Sequence, residues 1–233
     1  MKRLVQRLLR RAGYDLSPFP TFEGKPVPHR PWEDDPAFLD VYQECLGLTL
    51  LDRRRLFTLY QCGLAAARLP GHFAECGVYQ GGSARLLARL KRSDQTLHLF
   101  DTFTGMPETD AARDLHRGGD FNDTTLDSVR NSLAGFQGID TRPGFFPATA
   151  AGLETVSFSL VHLDFDIYQS MADGCAFFYP RLVPGGCIVI DDYGFPSCPG
   201  AKQAVDGFCA AHGASVHYLM TGQALLYNFR PSP

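Results

Sequence analysis

The sequence predicts a doubly wound α/β fold with a mostly parallel sheet, and three observations support this prediction. Apolar runs typical of buried strands alternate with helical stretches from Gly71 onwards. Two of these runs, 156–163 and 187–190, are each closed by a pair of aspartates. A glycine-rich turn follows the first strand. Parallel sheets bury both faces of their strands and bind ligands at the carboxyl ends, so the site is expected there.

The elements follow from the spacing of the apolar residues. Residues 37–68 read as largely helical because their leucines recur on one face. Apolar runs then predict strands at 72–78, 96–100, 139–142, 156–163 and 187–190, and helical spacing predicts helices at 83–90, 126–136, 170–181 and 200–212. Residues 215–219 and 224–229 read as a terminal strand pair, which adds an antiparallel strand to the sheet. The loop of about twenty residues after Asp101 is long for a compact domain and is predicted to be a lid or binding loop.

The N-terminal region predicts an arm rather than a domain. Residues 1–14 place apolar side chains at helical spacing with cations on the other face, and residues 15–36 are rich in proline. The helix is expected to pack on its own domain or a neighbouring subunit, with an anionic membrane as the alternative. We therefore predict an arm over residues 1–70 and a catalytic domain over 71–233. The arm could also mediate self-association, which the sequence does not settle.

Composition excludes several classes of function. The 233 residues carry a net charge of −3, which argues against a nucleic-acid partner. No apolar run approaches the roughly 18 residues of a membrane span. Seven cysteines without a CxxC pair or zinc spacing indicate reduced thiols, and hence a cytoplasmic protein.

The first strand–helix turn predicts a nucleoside site. Gly77, Gly81 and Gly82 let the chain turn sharply and let a ligand approach the backbone. The spacing is neither GxGxxG nor a phosphate-binding GK[ST]. Asp101 ends the second strand, where a carboxylate can hydrogen-bond two ribose hydroxyls. A nucleoside without a pyrophosphate is indicated, and S-adenosylmethionine is the common candidate.

The two acidic clusters predict a metal site. If their strands are neighbours, the carboxylates of Asp164, Asp166, Asp191 and Asp192 converge at one end of the sheet. Like charges so close together repel and raise each other's pKa unless a cation lies between them. A hard divalent cation with oxygen ligands, such as Mg²⁺, is the simplest partner.

Several motifs together resemble a known family. They are E-x-G-x-Y-x-G-G-S at 75–83, F-D-T-F-x-G-M-P at 100–107, P-G-F-F at 143–146, L-D-F-D-I-Y at 163–168, P-G-G-C-I-V-I-D-D-Y-G at 184–194 and C-P-G-A-K-Q-A-V-D at 198–206. In this order they resemble the macrocin O-methyltransferase family, over roughly residues 71–212. Such enzymes have a Rossmann-like class I methyltransferase sheet and methylate sugar hydroxyls of antibiotics and related glycosides.

The resemblance implies roles for particular residues. Asp164, Asp191 and Asp192 would be ligands of a magnesium-type ion. The cofactor would be held by Asp101 and by residues of the first turn: Glu75, Gly77, Tyr79, Gly81, Gly82 and Ser83. Gly144 and Phe145 would lie near the adenine. Phe103 and other aromatic residues are further candidates for closing over the cofactor.

Two residues are candidates for the general base. Methyl transfer from a sulfonium to an alcohol is an in-line displacement in which the alcohol must lose a proton. Asp166 lies two residues from Asp164, on the same side of an extended segment, and is the first candidate. His116, in the long loop, is the second because its pKa suits proton transfer near neutrality. Asp166 could instead hydrogen-bond the cofactor or a metal-bound water.

Three functions fit these observations. The first is metal-dependent O-methylation of a glycoside or saccharide hydroxyl, with a small-molecule or saccharide acceptor. The second is methylation of a catechol or phenolic natural product, whose vicinal hydroxyls could chelate the same ion. The third is a non-catalytic S-adenosylmethionine-binding regulator, which retention of four aspartates argues against. Catalysis on a saccharide is the leading prediction.

Overall fold

A computed structural model describes residues 21–22, 25–26 and 30–229. The chain divides into two units, residues 1–35 and 36–233. In the first unit, strands β1 (Thr21–Phe22) and β2 (Lys25–Pro26) pair antiparallel, and helix α1 spans Pro31–Asp34. The predicted helix at 1–14 and much of the proline-rich stretch lie outside the described residues. The domain boundary at residue 70 and self-association stay predictions.

The second unit alternates helices and strands as the apolar spacing predicts. Its helices are α2 (Pro36–Cys45), α3 (Arg53–Ala66), α4 (Gly82–Leu90), α5 (Leu126–Ser132), α6 (Tyr168–Phe178) and α7 (Pro199–His212). Its strands are β3 (His72–Cys76), β4 (Leu97–Asp101), β5 (Ile139–Pro143), β6 (Phe158–Leu163), β7 (Leu182–Ile190), β8 (Val216–Tyr218) and β9 (Ala224–Tyr227). Each predicted element of this unit is present.

The strands form one seven-stranded sheet in the order β5-β4-β3-β6-β7-β9-β8. Strands β3 to β7 are parallel, whereas β9 runs antiparallel to both β7 and β8. The doubly wound α/β prediction, with its antiparallel C-terminal strand, is thus confirmed. The strand order reverses between β3 and β6, and ligands of open α/β sheets bind in the crevice at such a point.

Most elements differ from their predicted bounds by a few residues, and two of the largest differences have a clear cause in the backbone. Helix α5 ends at Ser132 rather than 136, because Gly135 adopts a left-handed backbone with φ of 97°. Strand β7 begins at Leu182 rather than 187, because the Pro184–Gly186 segment continues beside β6 through a bulge instead of forming a separate turn. Neither difference moves the aspartates that follow β6 and β7.

The core lies between the sheet and its helices. Strand β6 is buried along its whole length, as expected for a central parallel strand. On one face, the rings of Phe100, Phe146, Phe158 and Phe178 pack with centroids 5.1–5.8 Å apart. Helices α2 and α3 pack against α4. This packing holds the ends of β3, β6 and β7 in fixed register.

No helix in the described part of the chain has the length and apolarity needed to cross a membrane. All seven cysteines are free and buried. The cytoplasmic location stays a prediction.

Candidate active site

A cavity of about 290 Å³ lies at the carboxyl ends of the central strands. Its wall includes Gly77 after β3, Asp101 at the end of β4, Asp164 after β6 and Asp192 after β7. The parallel ladder continues past the strands, since the amide of Asp164 donates to the Cys76 carbonyl over 2.9 Å. The predicted nucleoside turn and acidic clusters therefore share one cavity.

The Asp101 carboxylate links the turn after β3 to the turn after β4 through hydrogen bonds from backbone amides. Its Oδ2 accepts hydrogen bonds from the amides of Val78 at 2.7 Å and Tyr79 at 3.0 Å. Its Oδ1 accepts from the amide of Phe103 at 2.7 Å. Each carboxylate oxygen has two lone pairs, so the two amides use both of those on Oδ2, and the remaining acceptor position is on Oδ1, where the Thr102 hydroxyl makes only a long 3.5 Å contact. Asp101 thus both shapes the turn and can meet a ribose.

The predicted cofactor residues fall into two groups. Those that line the cavity are Gly77, Tyr79, Ser83, Asp101, Gly144 and Phe145. Glu75, Gly81, Gly82 and Phe103 are not part of its lining. Gly81, with φ of 90°, precedes α4, and the amide of Gly82 donates to the Leu48 carbonyl over 2.9 Å. Gly81 and Gly82 shape the turn, and contact of this second group with a cofactor stays a prediction.

Gly77 is the tightest point of the turn. Its φ of 81° is left-handed, and a Cβ there would overlap the backbone oxygen of Asp164. Gly77→Ala is expected to destabilise the fold by more than about 2 kcal/mol, combining backbone strain with the clash. Gly207→Ala is the matched control. Gly207 lies at an exposed position of α7 with no atom near the place of its Cβ, so the change should stabilise the fold by up to about 1 kcal/mol. Urea unfolding of both variants measures the difference, and equal effects would contradict the close approach.

Three carboxylates converge at the cavity wall. Asp164, Asp166 and Asp192 each place one oxygen within 4.8 Å of the others. Burial raises the pKa of Asp164 and Asp192 well above the usual range, and neighbouring carboxylates raise it further. Repulsion of this kind is relieved by a cation, and the oxygen donors suit a hard divalent ion. The donor set fits the predicted metal.

The Asp191 carboxylate lies in a different environment. It is fully buried, forms an ion pair with Arg55, and accepts a 2.8 Å hydrogen bond from Nε2 of Gln223. Burial alone would raise its pKa, but His162 and Arg55 lower it below the usual value. Asp191 is thus not part of the convergent carboxylate set that includes Asp164, and its role as a ligand stays a prediction.

A buried ion network extends beneath this site. Nδ1 of His162 lies 2.9 Å from Oε1 of Glu75, and Nε2 lies 3.7 Å from Oδ1 of Asp191. Both histidine and glutamate are fully buried. Sequence reasoning assigned Glu75 to the cofactor and missed His162. The missed signal was a histidine in an apolar strand, at the register position of Glu75 on the neighbouring strand.

This network predicts a pH dependence of stability. Burial alone would lower the pKa of His162, but hydrogen bonds and charges of Asp191 and Glu75 raise it to about 10. A raised pKa in the folded state contributes stability that is complete below about pH 6.5 and is lost as pH rises towards 10. Unfolding free energy measured from pH 6 upwards should therefore fall more steeply for the wild type than for His162→Gln. Equal slopes would contradict the prediction.

Both predicted bases lie at the same corner of the cavity. Oδ1 of Asp166 lies 3.7 Å from Nε2 of His116 and accepts a 3.3 Å hydrogen bond from the Cys198 thiol. The Asp166 backbone is left-handed, with φ of 62°, and its amide donates to Oδ2 of Asp192 over 2.8 Å. Burial raises the pKa of Asp166. The left-handed backbone thus holds the aspartate where its amide bonds Asp192 and its carboxylate lies near the loop histidine.

The long loop is part of the cavity wall. It contributes Met106, Pro107, His116 and Phe121 to the lining. Asp114, which is buried, fixes the loop to the start of α6 by accepting a 2.8 Å hydrogen bond from the Tyr168 amide. The prediction of a binding loop agrees with this position.

Among the cavity residues that the sequence analysis did not predict, three bear directly on the chemistry of the site. Arg55 comes from α3, Phe195 from the segment after β7, and Cys198 from the position before α7. The arginine guanidinium lies 4.9 Å from the centre of the Phe195 ring. No local pattern marks Arg55, because its neighbours in the chain are also arginines. Cys198 lies within one of the family motifs, but a single cysteine is usually a small residue of the core.

Comparison with known proteins places this site in a family. A family model described as macrocin O-methyltransferase matches residues 31–221. A Streptomyces olivaceus relative, 8-demethyl-8-(2,3-dimethoxy-alpha-L-rhamnosyl)-tetracenomycin-C 4'-O-methyltransferase, is 29% identical, covering 91% of this chain and 85% of its own. Mycinamicin III 3''-O-methyltransferase of Micromonospora griseorubida is 30% identical, covering 72% of each chain.

Solved structures show the same fold. The O-methyltransferase NovP superposes with a TM-score of 0.67 at 24% identity, over 82% of this chain and 88% of its own. The calicheamicin methyltransferase CalS11 gives 0.64 at 18% identity, over 89% and 98%. The family match covers the cavity, the first turn and both acidic clusters. The chain therefore belongs to the macrocin O-methyltransferase family and is an S-adenosylmethionine-dependent O-methyltransferase.

Proposed function

We propose that this enzyme methylates a saccharide hydroxyl on a glycosylated natural product, with the help of a divalent cation. The observation that carries the proposal is the convergence of Asp164, Asp166 and Asp192 on the wall of the cofactor cavity. The names of the relatives support the acceptor class, since they include a rhamnosyl tetracenomycin and a mycinamicin methyltransferase.

The cation would be held by Asp164 and Asp192, and Asp166, the third carboxylate of the convergent set, would act on the acceptor beside it. Asp191 would join as a fourth carboxylate only by giving up contacts with Arg55. A bound divalent ion lowers the pKa of a hydroxyl that it contacts and fixes the position of that hydroxyl. Besides burial, repulsion between the carboxylates raises the pKa of Asp164 and Asp192, and a cation bound between them would relieve that repulsion.

The cofactor would lie along the first turn. Asp101 would accept a hydrogen bond from the ribose, and Gly77 would let the backbone approach the methionine portion. Phe145, which is partly exposed on the wall beside Gly144, would pack against the adenine. Because the carboxylates line the same cavity, the acceptor would be held beside the cofactor, and alignment of two bound reactants supplies much of the rate of a displacement.

Asp166 would accept the proton of the acceptor hydroxyl. Its carboxylate lies on the cavity wall, and burial holds its pKa above the usual aspartate range, which makes it a better base than an exposed carboxylate. His116, 3.7 Å from the same oxygen, can then pass the proton to solvent. The histidine Nδ1 contacts Asp120 at 3.3 Å, which orients the ring.

The metal role is tested by replacing Asp192. Asp192→Asn is expected to reduce magnesium-dependent methyl transfer by roughly 10²- to 10³-fold, while the affinity for S-adenosylmethionine changes by less than about threefold. Calorimetric titration of the cofactor and radiolabelled methyl transfer measure the two quantities. Wild-type activity that is unchanged by chelator would refute metal dependence.

The acceptor class is tested with matched substrates. Rhamnosylated macrolides and aromatic polyketides are compared with simple catechols under the same conditions. Faster transfer to the glycosides, with the product methylated on the sugar, is the expected result. Exclusive methylation of the catechols would replace the saccharide proposal with a phenolic one.

A further inference from the structure

A second cluster of ligand atoms lies beside the three carboxylates. Sγ of Cys198, Nε2 of His116 and Oδ1 of Asp166 face one another on the cavity wall. The sulfur lies 3.3 Å from the aspartate oxygen and 3.7 Å from the histidine nitrogen, and nitrogen and oxygen are 3.7 Å apart. Ligands bonded to zinc at roughly 2.0–2.3 Å with tetrahedral angles are separated by about 3.3–3.6 Å. The three separations are thus within a few tenths of an ångström of those on one face of a zinc tetrahedron.

The surroundings of the cluster also suit a metal. Nδ1 of His116 contacts Asp120 at 3.3 Å, and a carboxylate in this position orients a ligating histidine and raises its basicity. Cys198 is the N-cap of α7, but its side chain makes no capping hydrogen bond to the helix, so the sulfur is directed to the cluster instead. The ligand types differ from those of the first set, because a thiolate and an imidazole select a softer ion than three carboxylates do.

We propose that Cys198, His116 and Asp166 form a second metal site, for Zn²⁺ or a similar borderline-soft divalent cation, whose occupation inhibits methyl transfer. The fourth coordination position faces the cavity and would hold water. Inhibition follows because Oδ1 of Asp166 is shared, so an ion bound there takes the oxygen that would accept the acceptor proton. Burial, together with the charges of Asp192 and Asp166, raises the pKa of the Cys198 thiol, so binding releases its proton to solvent.

The site is tested with Co²⁺, whose bond to a thiolate gives a charge-transfer absorption. The full chain is titrated in excess Mg²⁺, which fills hard oxygen sites. We expect saturation near one equivalent, with the band displaced by Zn²⁺. Cys198→Ser should abolish the band, whereas Cys209→Ser, a buried cysteine of the same helix, should keep it. An absent band in the wild type, or a band that persists in Cys198→Ser, would overturn the proposal.

Two further measurements keep the test decisive. His116→Asn should weaken Co²⁺ binding by at least about 10-fold while retaining a thiolate, so it serves if Cys198→Ser does not fold. Loss of the band in Cys62→Ser instead of Cys198→Ser would place the ion elsewhere and refute the site. The inhibition rests on the proposed function, whereas Co²⁺ binding does not. Zinc that binds at Cys198 without slowing methyl transfer would refute only the inhibitory role.

Discussion

Replacing Asp166 by asparagine is expected to reduce kcat for methyl transfer by about 10²- to 10⁴-fold, the usual contribution of a general base. The amide keeps the shape of the side chain but cannot accept the acceptor proton. Binding of S-adenosylmethionine should change little, because Asp166 is not among the residues assigned to the cofactor. Single-turnover kinetics and calorimetry separate the two effects.

The pH profile gives an independent test of the same role. Burial raises the pKa of Asp166, so activity should fall as pH decreases through that raised value, when the base becomes protonated. The acid limb should be absent from the residual activity of Asp166→Asn. Asp127→Asn, at an exposed position on α5, is the control and should match the wild type. A larger loss in His116→Asn than in Asp166→Asn would assign the base to the histidine.

Removing the partner of Asp191 is expected to produce the largest loss of stability. Arg55→Met leaves the fully buried Asp191 carboxylate with His162, 3.7 Å away, as its remaining cationic neighbour, and the lost ion pair costs about 3 kcal/mol. Asp191 keeps its bond from Gln223, so the protein should still fold. Arg55→Met/Asp191→Asn should recover much of the loss, because no buried charge is then left unpaired. Guanidinium unfolding of the four proteins completes the cycle.

The neighbouring arginine provides the control for this cycle. Arg54 pairs with Asp52 at 3.3 Å, but both side chains are about half exposed, so Arg54→Met should cost less than about 1 kcal/mol. Equal losses at the two arginines would contradict the buried ion pair. A loss in the double variant as large as in Arg55→Met would show that the arginine acts through packing instead, for example on Phe195.

The architecture of the sheet, and the edge of the sheet at which the site lies, could be predicted from the sequence alone. Apolar runs buried on both faces specify parallel strands, and the residues that end them must meet at one edge. Asp101, Asp164 and Asp192 therefore line one cavity, as predicted. Glycine at position 77 marks a close backbone approach, which its left-handed φ confirms. These inferences succeed because they depend on spacing along one strand at a time.

The pairing of the charged side chains, by contrast, became evident only in the folded protein. Four aspartates end two neighbouring strands, but Asp191 pairs with Arg55, more than a hundred residues earlier in the chain, while Asp166 joins the convergent set. Cys198 and His116 likewise come from separate loops and meet only at Asp166. Pairings of this kind depend on side-chain directions and on helix packing against the sheet, which no local periodicity encodes. The fold could therefore be predicted from the sequence, whereas the roles of the individual carboxylates could not.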